Sequence, residues 1–119
     1  MICITASGAT LESLVNPSFG RAPYFLFVDP DSLEVEAVEN MPGAHGAGVQ
    51  AAQTVANKGA SIVITGNVGP NAHHGLSAAG IEIYVGAKGT AKQALDDYRA
   101  GRLSRTDVPT GERHGGARR

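Results

Sequence analysis

Two hydrophobic periods alternate along this chain, and the places where they switch divide it into strands and helices. Ile2 to Thr5 is a short apolar run that reads as a first strand, and Tyr24-Phe25-Leu26-Phe27-Val28 is a continuous apolar run that reads as a central one. Asp29-Pro30-Asp31-Ser32 carries proline at the second turn position. Leu33 to Val38 alternates apolar and acidic residues over its first five positions, the pattern of an edge strand wet on one face and antiparallel to its predecessor. From Ala47 the period lengthens: Val49, Ala52, Val55 and Ala56 fall on one helical face, and Gly59 closes the helix. Ile62-Val63-Ile64-Thr65 is β-branched and uncharged, as in a strand buried on both faces. It breaks at Gly66-Asn67-Val68-Gly69-Pro70, where Pro70 suits a first helical position. Ala72, Leu76 and Ala79 continue that helix to Gly80, and Ile81 to Val85 form the next strand. Thr90 with Gln93 makes a capping box before a helix through Ala91, Ala94, Leu95 and Tyr98, which stops at Gly101.

The predicted order is βββαβαβα. Short connections and right-handed crossovers then favour one mixed five-stranded sheet, strand order 3-2-1-4-5, flanked by three helices. Residues 1–103 form a single α/β domain. Residues 104–119 are expected to dock briefly near Leu103 and then to be a disordered, basic tail.

Composition narrows the functional classes. The net charge of −1 hides an acidic body and a tail rich in arginine: Arg102, Arg105, Arg113, Arg118 and Arg119 face only Asp107 and Glu112 there. Positive charge is not concentrated on a folded face, so nucleic acid is not an expected partner. No apolar run approaches the roughly 20 residues that cross a bilayer, so neither is a membrane. The single cysteine excludes an intramolecular disulfide and an all-cysteine metal site. With no basic stretch in Met1-Ile2-Cys3-Ile4 to suggest a signal peptide, a cytoplasmic setting is expected.

Candidate chemistry gathers at the glycine corner. Gly66 to Asn71 presents free backbone N–H groups at a helix N-terminus, which favours an anion; a tight strand-to-helix turn with no ligand has the same sequence. Neither a Rossmann fingerprint nor a P-loop is present. His73 and His74 are adjacent on the first helical turn, about 100° apart around the axis, so they do not suit a shared metal ion. His45 sits in the glycine loop 40–46 and is able to approach either. Arg21, at the mouth of a strand, either binds an anion or pairs with a surface carboxylate. Cys3 reads as a small core residue. No carboxylates converge for a two-metal mechanism and no nucleophile elbow is present, so no catalytic residues are assigned and the chain is not expected to be an enzyme.

Four segments resemble the dinitrogenase iron–molybdenum cofactor biosynthesis family. They are Ser18-Phe19-Gly20-Arg21-Ala22-Pro23-Tyr24-Phe25, Gly46 to Ala52, Ile64 to Ala72 with its Gly-Asn-x-Gly-Pro-x-Ala corner, and Ala79 to Tyr84. The resemblance covers roughly residues 1–103. It implies a ribonuclease-H-like fold and a non-enzymatic carrier or scaffold for an anionic molybdenum-containing sulfide cluster, of molybdenum–copper or iron–molybdenum type, held largely non-covalently. The alternative within the same fold is a regulatory or protein-interaction module with no bound cluster. The implied pocket has three loops: Phe19, Gly20 and Arg21; the loop of Met41 and His45; and the corner of Asn67, Gly69, Pro70, Asn71, His73 and His74. In it Arg21 supplies charge, the N–H groups near Gly69 to Asn71 donate to sulfide, the histidines donate or else ligate, and Phe19 and Met41 form apolar walls. A protein partner for cluster delivery is a further implication. Ser18 stands where family members often carry histidine, which suits a cluster that brings its own sulfides over one ligated directly by the protein.

Overall fold

The structure, a computed structural model, describes residues 1–40 and 47–110. In chain order the elements are β1 (Ile2–Ala6), β2 (Tyr24–Val28), β3 (Val35–Glu39), α1 (Ala47–Asn57), β4 (Ile62–Ile64), α2 (Pro70–Ala78), β5 (Glu82–Val85), α3 (Ala91–Arg99) and β6 (Ser104–Arg105). They form one mixed sheet of order β3-β2-β1-β4-β5-β6. β1 pairs antiparallel with β2 and parallel with β4, and β4 pairs parallel with β5. The expected ribonuclease-H-like order of the first five strands is thus present.

Strand alternation sorts the core into two layers. Cys3, Phe25, Phe27, Val63 and Ile83 face α1 and α2, where Ala51, Ala52, Val55, Ala72 and Leu76 close the layer. Ile2, Ile4, Leu26, Val28 and Ile64 face α3, where Ala91, Ala94 and Leu95 meet them. Burying each of the larger side chains contributes roughly 1.5–3 kcal/mol. α3 opens with the expected capping box, Gln93 N donating to Thr90 Oγ1 and Thr90 N to Gln93 Oε1.

Three expectations differ in detail. β3 starts at Val35 rather than Leu33, because Leu33 adopts φ 64° at the end of a turn tied by the Asp29 carboxylate to the N–H groups of Asp31 and Ser32. Val49 and Ala79 lie outside the buried helical stripes and are exposed, while Ala51 is buried. The sheet has a sixth strand: Ser104 and Arg105, expected to open a disordered tail, pair with Val85 and Tyr84. The chain stays docked to Thr110, whose N–H donates to the Val68 carbonyl at 2.7 Å. Residues 111–119, the rest of the expected tail, lie outside the described residues. No helix among the described residues is long and apolar enough to cross a membrane.

Candidate functional site

β1 and β4 run parallel at the centre of the sheet, so their carboxyl ends rise side by side. A fully buried threonine stands at each of these ends, Thr5 next to last in β1 and Thr65 just after β4. Thr5 Oγ1 lies 2.8 Å from the Asn16 carbonyl oxygen and 2.9 Å from Thr65 Oγ1. A hydroxyl has one proton, so Thr5 donates to the carbonyl and accepts from Thr65. This chain of bonds draws the 16–21 loop down onto the ends of both strands.

The glycine corner meets that loop directly. Asn67 N donates to the Pro17 carbonyl at 2.7 Å, and Phe19 N donates to the Asn67 carbonyl at 3.2 Å, a parallel bridge between Ser18 and Asn67. The approach requires glycine at position 66: a Cβ there would stand 2.8 Å from Pro17 backbone atoms. The structure therefore brings together two of the three predicted loops, Phe19-Gly20-Arg21 and Asn67 to His74.

The third predicted loop precedes α1 in the chain. Met41 and His45 lie outside the described residues, but the helix they lead into crosses α2 closely. A Cβ on Gly48 would come within 3.1 Å of Ala72 N, and one on Gly75 within 2.9 Å of Ala52 Cβ. Small residues on both helices thus set the N-terminus of α1 against the N-terminus of α2.

The first turn of α2 is electrically open. Gly69 is its N-cap, Pro70 occupies the first position, no described side chain caps it and no acidic residue lies in its first turn. His73 N donates to the Gly69 carbonyl, whereas no described residue accepts from the amides of Gly69, Asn71 or Ala72. Such donors carry the positive end of the helix dipole, equivalent to about half a charge.

Side chains divide more sharply than the sequence suggests. Arg21 is exposed and makes no hydrogen bond or ion pair with a described residue, so its guanidinium is available to an anion. Asn67, Asn71 and His74 are exposed, and Gly20 is half-buried. His73 is half-buried, with its Nε2 enclosed and making no hydrogen bond to a described residue. Phe19 belongs to the core, 1% exposed and stacked on Phe25 at 5.4 Å between ring centroids. Its ring anchors the loop from below and offers little surface as a wall. Cys3 is fully buried, and desolvation raises its thiol far above the usual range, so it stays protonated. Among the described residues no three His, Cys, Asp or Glu side chains gather to hold a metal ion.

Sequence reading missed several supports of this site. The Asn16 side chain accepts from Ser18 N at 3.0 Å, and Asn40 Nδ2 donates to the Ala22 carbonyl at 2.7 Å. The Asn16-Pro17 pair signalled a turn without naming its partner. Thr110, whose hydroxyl accepts from Val68 N at 3.0 Å, gave no signal.

Open amides at a sheet-end corner, with exposed Arg21 on the loop bridged to it, mark a candidate anion-binding surface among the described residues. The chain belongs to the dinitrogenase iron-molybdenum cofactor family, whose model matches residues 1–101. Among solved structures it is similar to the apo form of the orange protein from Desulfovibrio gigas, with 40% identity and TM-score 0.88 over 92% of this chain and 94% of that one. It is also similar to a putative NifB protein from Thermotoga, with 39% identity and TM-score 0.84 over 96% and 97% of the two chains. An uncharacterized protein of Methanocaldococcus jannaschii is 29% identical over 96 residues, 76% of this chain and 81% of that protein.

Proposed function

We propose that this protein is a non-enzymatic carrier or scaffold for an anionic molybdenum-containing sulfide cluster held largely by non-covalent contacts. The observation that carries the reading is the uncapped N-terminus of α2, opened between the Arg21 loop and the N-terminus of α1. Its donors suit a sulfide-rich anion in kind: the amides of Gly69, Asn71 and Ala72, the guanidinium of Arg21 and the enclosed Nε2 of His73. Backbone amides and a guanidinium do not replace sulfide as metal ligands, so the cluster keeps its own coordination. Family membership supports a link to the iron–molybdenum cofactor, and likeness to the orange protein supports a carrier. The cluster is of molybdenum–copper or iron–molybdenum type, and parallel reconstitution with the two metals distinguishes them.

The test is reconstitution of the full chain with tetrathiomolybdate and copper, in parallel with tetrathiomolybdate and iron, followed by gel filtration, absorption spectroscopy and metal analysis. A protein-bound chromophore with stoichiometric molybdenum is expected from one of the two mixtures. Free-reagent spectra alone, in both mixtures, would favour the alternative of an interaction module.

A further inference from the structure

The two edges of the sheet are finished differently. At one, β6 is two residues long and runs into a strap that ends where Thr110 clasps Val68: the Thr110 N–H donates to the Val68 carbonyl at 2.7 Å, and its hydroxyl accepts from Val68 N at 3.0 Å. The other edge is β3. It pairs with β2 through all five of its residues, Val35 to Glu39, without a bulge, and no described element covers its outer side. It has neither proline nor lysine, two of the residues that guard natural sheet edges.

The ladder fixes which of its backbone groups are open. Asp29 N donates to the Glu34 carbonyl at 3.0 Å, and Asn40 N donates to the Pro23 carbonyl at 2.8 Å. Antiparallel partners alternate between bonded and non-bonded pairs. In the register Phe27↔Glu36 and Phe25↔Val38, the even-numbered residues of β3 therefore bond inward to β2. The N–H and C=O groups of Val35, Ala37 and Glu39 point away from the sheet, and no described residue bonds them.

Charge selects what adds there. Residues 22–57 hold five carboxylates, those of Asp29, Asp31, Glu34, Glu36 and Glu39, and no lysine or arginine. Among the described residues only Glu36 of these has a cationic partner, Lys58 at 2.7 Å. A second copy would lay the same carboxylates beside these, and like charges across a strand pair are destabilising. An extended segment rich in lysine or arginine meets opposite charge on both faces, because Glu36 shares the face of Val38 and Glu39 shares that of Val35. The C-terminal end of β3 also reaches the candidate site. Asn40 follows Glu39, and its Nδ2 donates to the carbonyl of Ala22, the residue after Arg21, at 2.7 Å. We propose that the β3 edge docks an extended, lysine- or arginine-rich segment of a partner protein, which adds to the sheet as a further strand beside the Arg21 loop. Docking of this kind needs no bound cluster and is independent of the carrier reading.

The probe is a short acetylated, amidated peptide alternating lysine and threonine, titrated into the full chain without metal. Its affinity and the exchange rate of each amide are read by NMR. Bound peptide is expected to slow exchange at Val35, Ala37 and Glu39 and to leave Glu36 and Val38, already bonded to β2, unchanged. Ala37→Pro removes one outward N–H and no bond to β2, a place where an edge strand accepts proline. It is expected to weaken binding about two- to tenfold at low and high salt alike. The same peptide with every backbone nitrogen methylated keeps its charge but cannot donate to the edge, and on the unaltered chain it is expected to lose at least as much. Glu34→Gln combined with Glu39→Gln is expected to weaken binding about two- to thirtyfold at about 0.01 M salt. The loss should shrink below about twofold at about 1 M, where the Debye length has fallen from about 30 to about 3 Å. If the peptide does not bind, the proposal is refuted. Equal binding by the unaltered chain, Ala37→Pro and the methylated peptide, or slowed exchange that misses Val35, Ala37 and Glu39, would reduce the contact to loose charge attraction and refute edge docking. Equal binding by the double glutamine variant at low salt would refute the choice of a basic segment. Protection of the three amides in the free chain, with a dimer in gel filtration, would make a second copy the occupant and overturn the proposal. Each of these outcomes is read without the cluster, so the carrier reading stands or falls separately.

Discussion

Gly66→Ala attacks the joint on which the site depends. The added Cβ would stand 2.8 Å from Pro17 Cα, 2.8 Å from its carbonyl oxygen and 3.2 Å from its carbonyl carbon. All three are backbone atoms and none swings aside as a long side chain would. Ordinary contact begins at 3.4 Å, so the 16–21 loop must retreat by about 0.6 Å. The retreat stretches the bonds from Asn67 N to Pro17 O and from Phe19 N to Asn67 O, now 2.7 and 3.2 Å. It also lifts Phe19 off Phe25. Overpacking of this kind costs about 1–3 kcal/mol. For a domain near 100 residues each kcal/mol moves Tm by about 4 °C or more, so a fall of roughly 4–12 °C is expected. Gly69→Ala is the matched control, because a Cβ there meets nothing within 4 Å and the backbone already sits at φ −76°. It should change stability by less than about 1 kcal/mol. Thermal and urea unfolding followed by circular dichroism compare the two. Should Gly66→Ala melt within about 2 °C of the unaltered chain, the loop and corner are not held in register by this contact. In reconstitution, both variants should weaken cluster retention, the first by moving Arg21 away and the second by placing a methyl group among the donors.

Arg21→Ala should leave stability within about 0.5 kcal/mol, as an exposed side chain with no described partner. It should weaken cluster binding about ten- to a hundredfold, the range of a charge-assisted contact, in a titration at matched ionic strength. Cys3→Ser should do the reverse, costing about 1–3 kcal/mol of stability by burying a hydroxyl and leaving retention unchanged. The buried thiol also makes stability fall with rising pH: the unfolded chain ionises near the ordinary value of 9.0 while the folded chain holds its proton. Unfolding free energy should therefore drop by about 1.4 kcal/mol per pH unit above that value, a slope that Cys3→Ala removes in urea titrations. Truncation after Thr110 should leave Tm within about 2 °C, whereas truncation after Leu103 strips the buried Val68 N–H of its partner and should cost about 1–3 kcal/mol; equal melting of the two would show that β6 and the clasp add no stability.

The parts of this molecule that were legible in the sequence are those with a period or a cap. Tyr24–Val28 and the Thr90–Gln93 box announce themselves because neighbouring residues repeat a spacing that only one backbone geometry satisfies. The glycine corner was legible for a similar reason, since Pro70 and the break after Ile64 specify a strand turning into a helix. The contacts that hold the corner were not. Gly66 is needed because Pro17 lies against it, a contact between residues 49 positions apart that neither segment encodes by itself. Phe19 read as a wall because it neighbours Arg21; its burial follows from the Ser18–Asn67 bridge, which turns the ring inward while Arg21, two residues on, points out. The strap is the extreme case. A two-residue strand has no period, and the sheet edge it covers bonds through backbone groups that any sequence carries. Only the Thr106 and Thr110 hydroxyls are specific there, and two threonines among arginines and glycines resemble the composition of a loose tail. Tail composition reports how little apolar area a segment buries, while docking by backbone hydrogen bonds needs little apolar area.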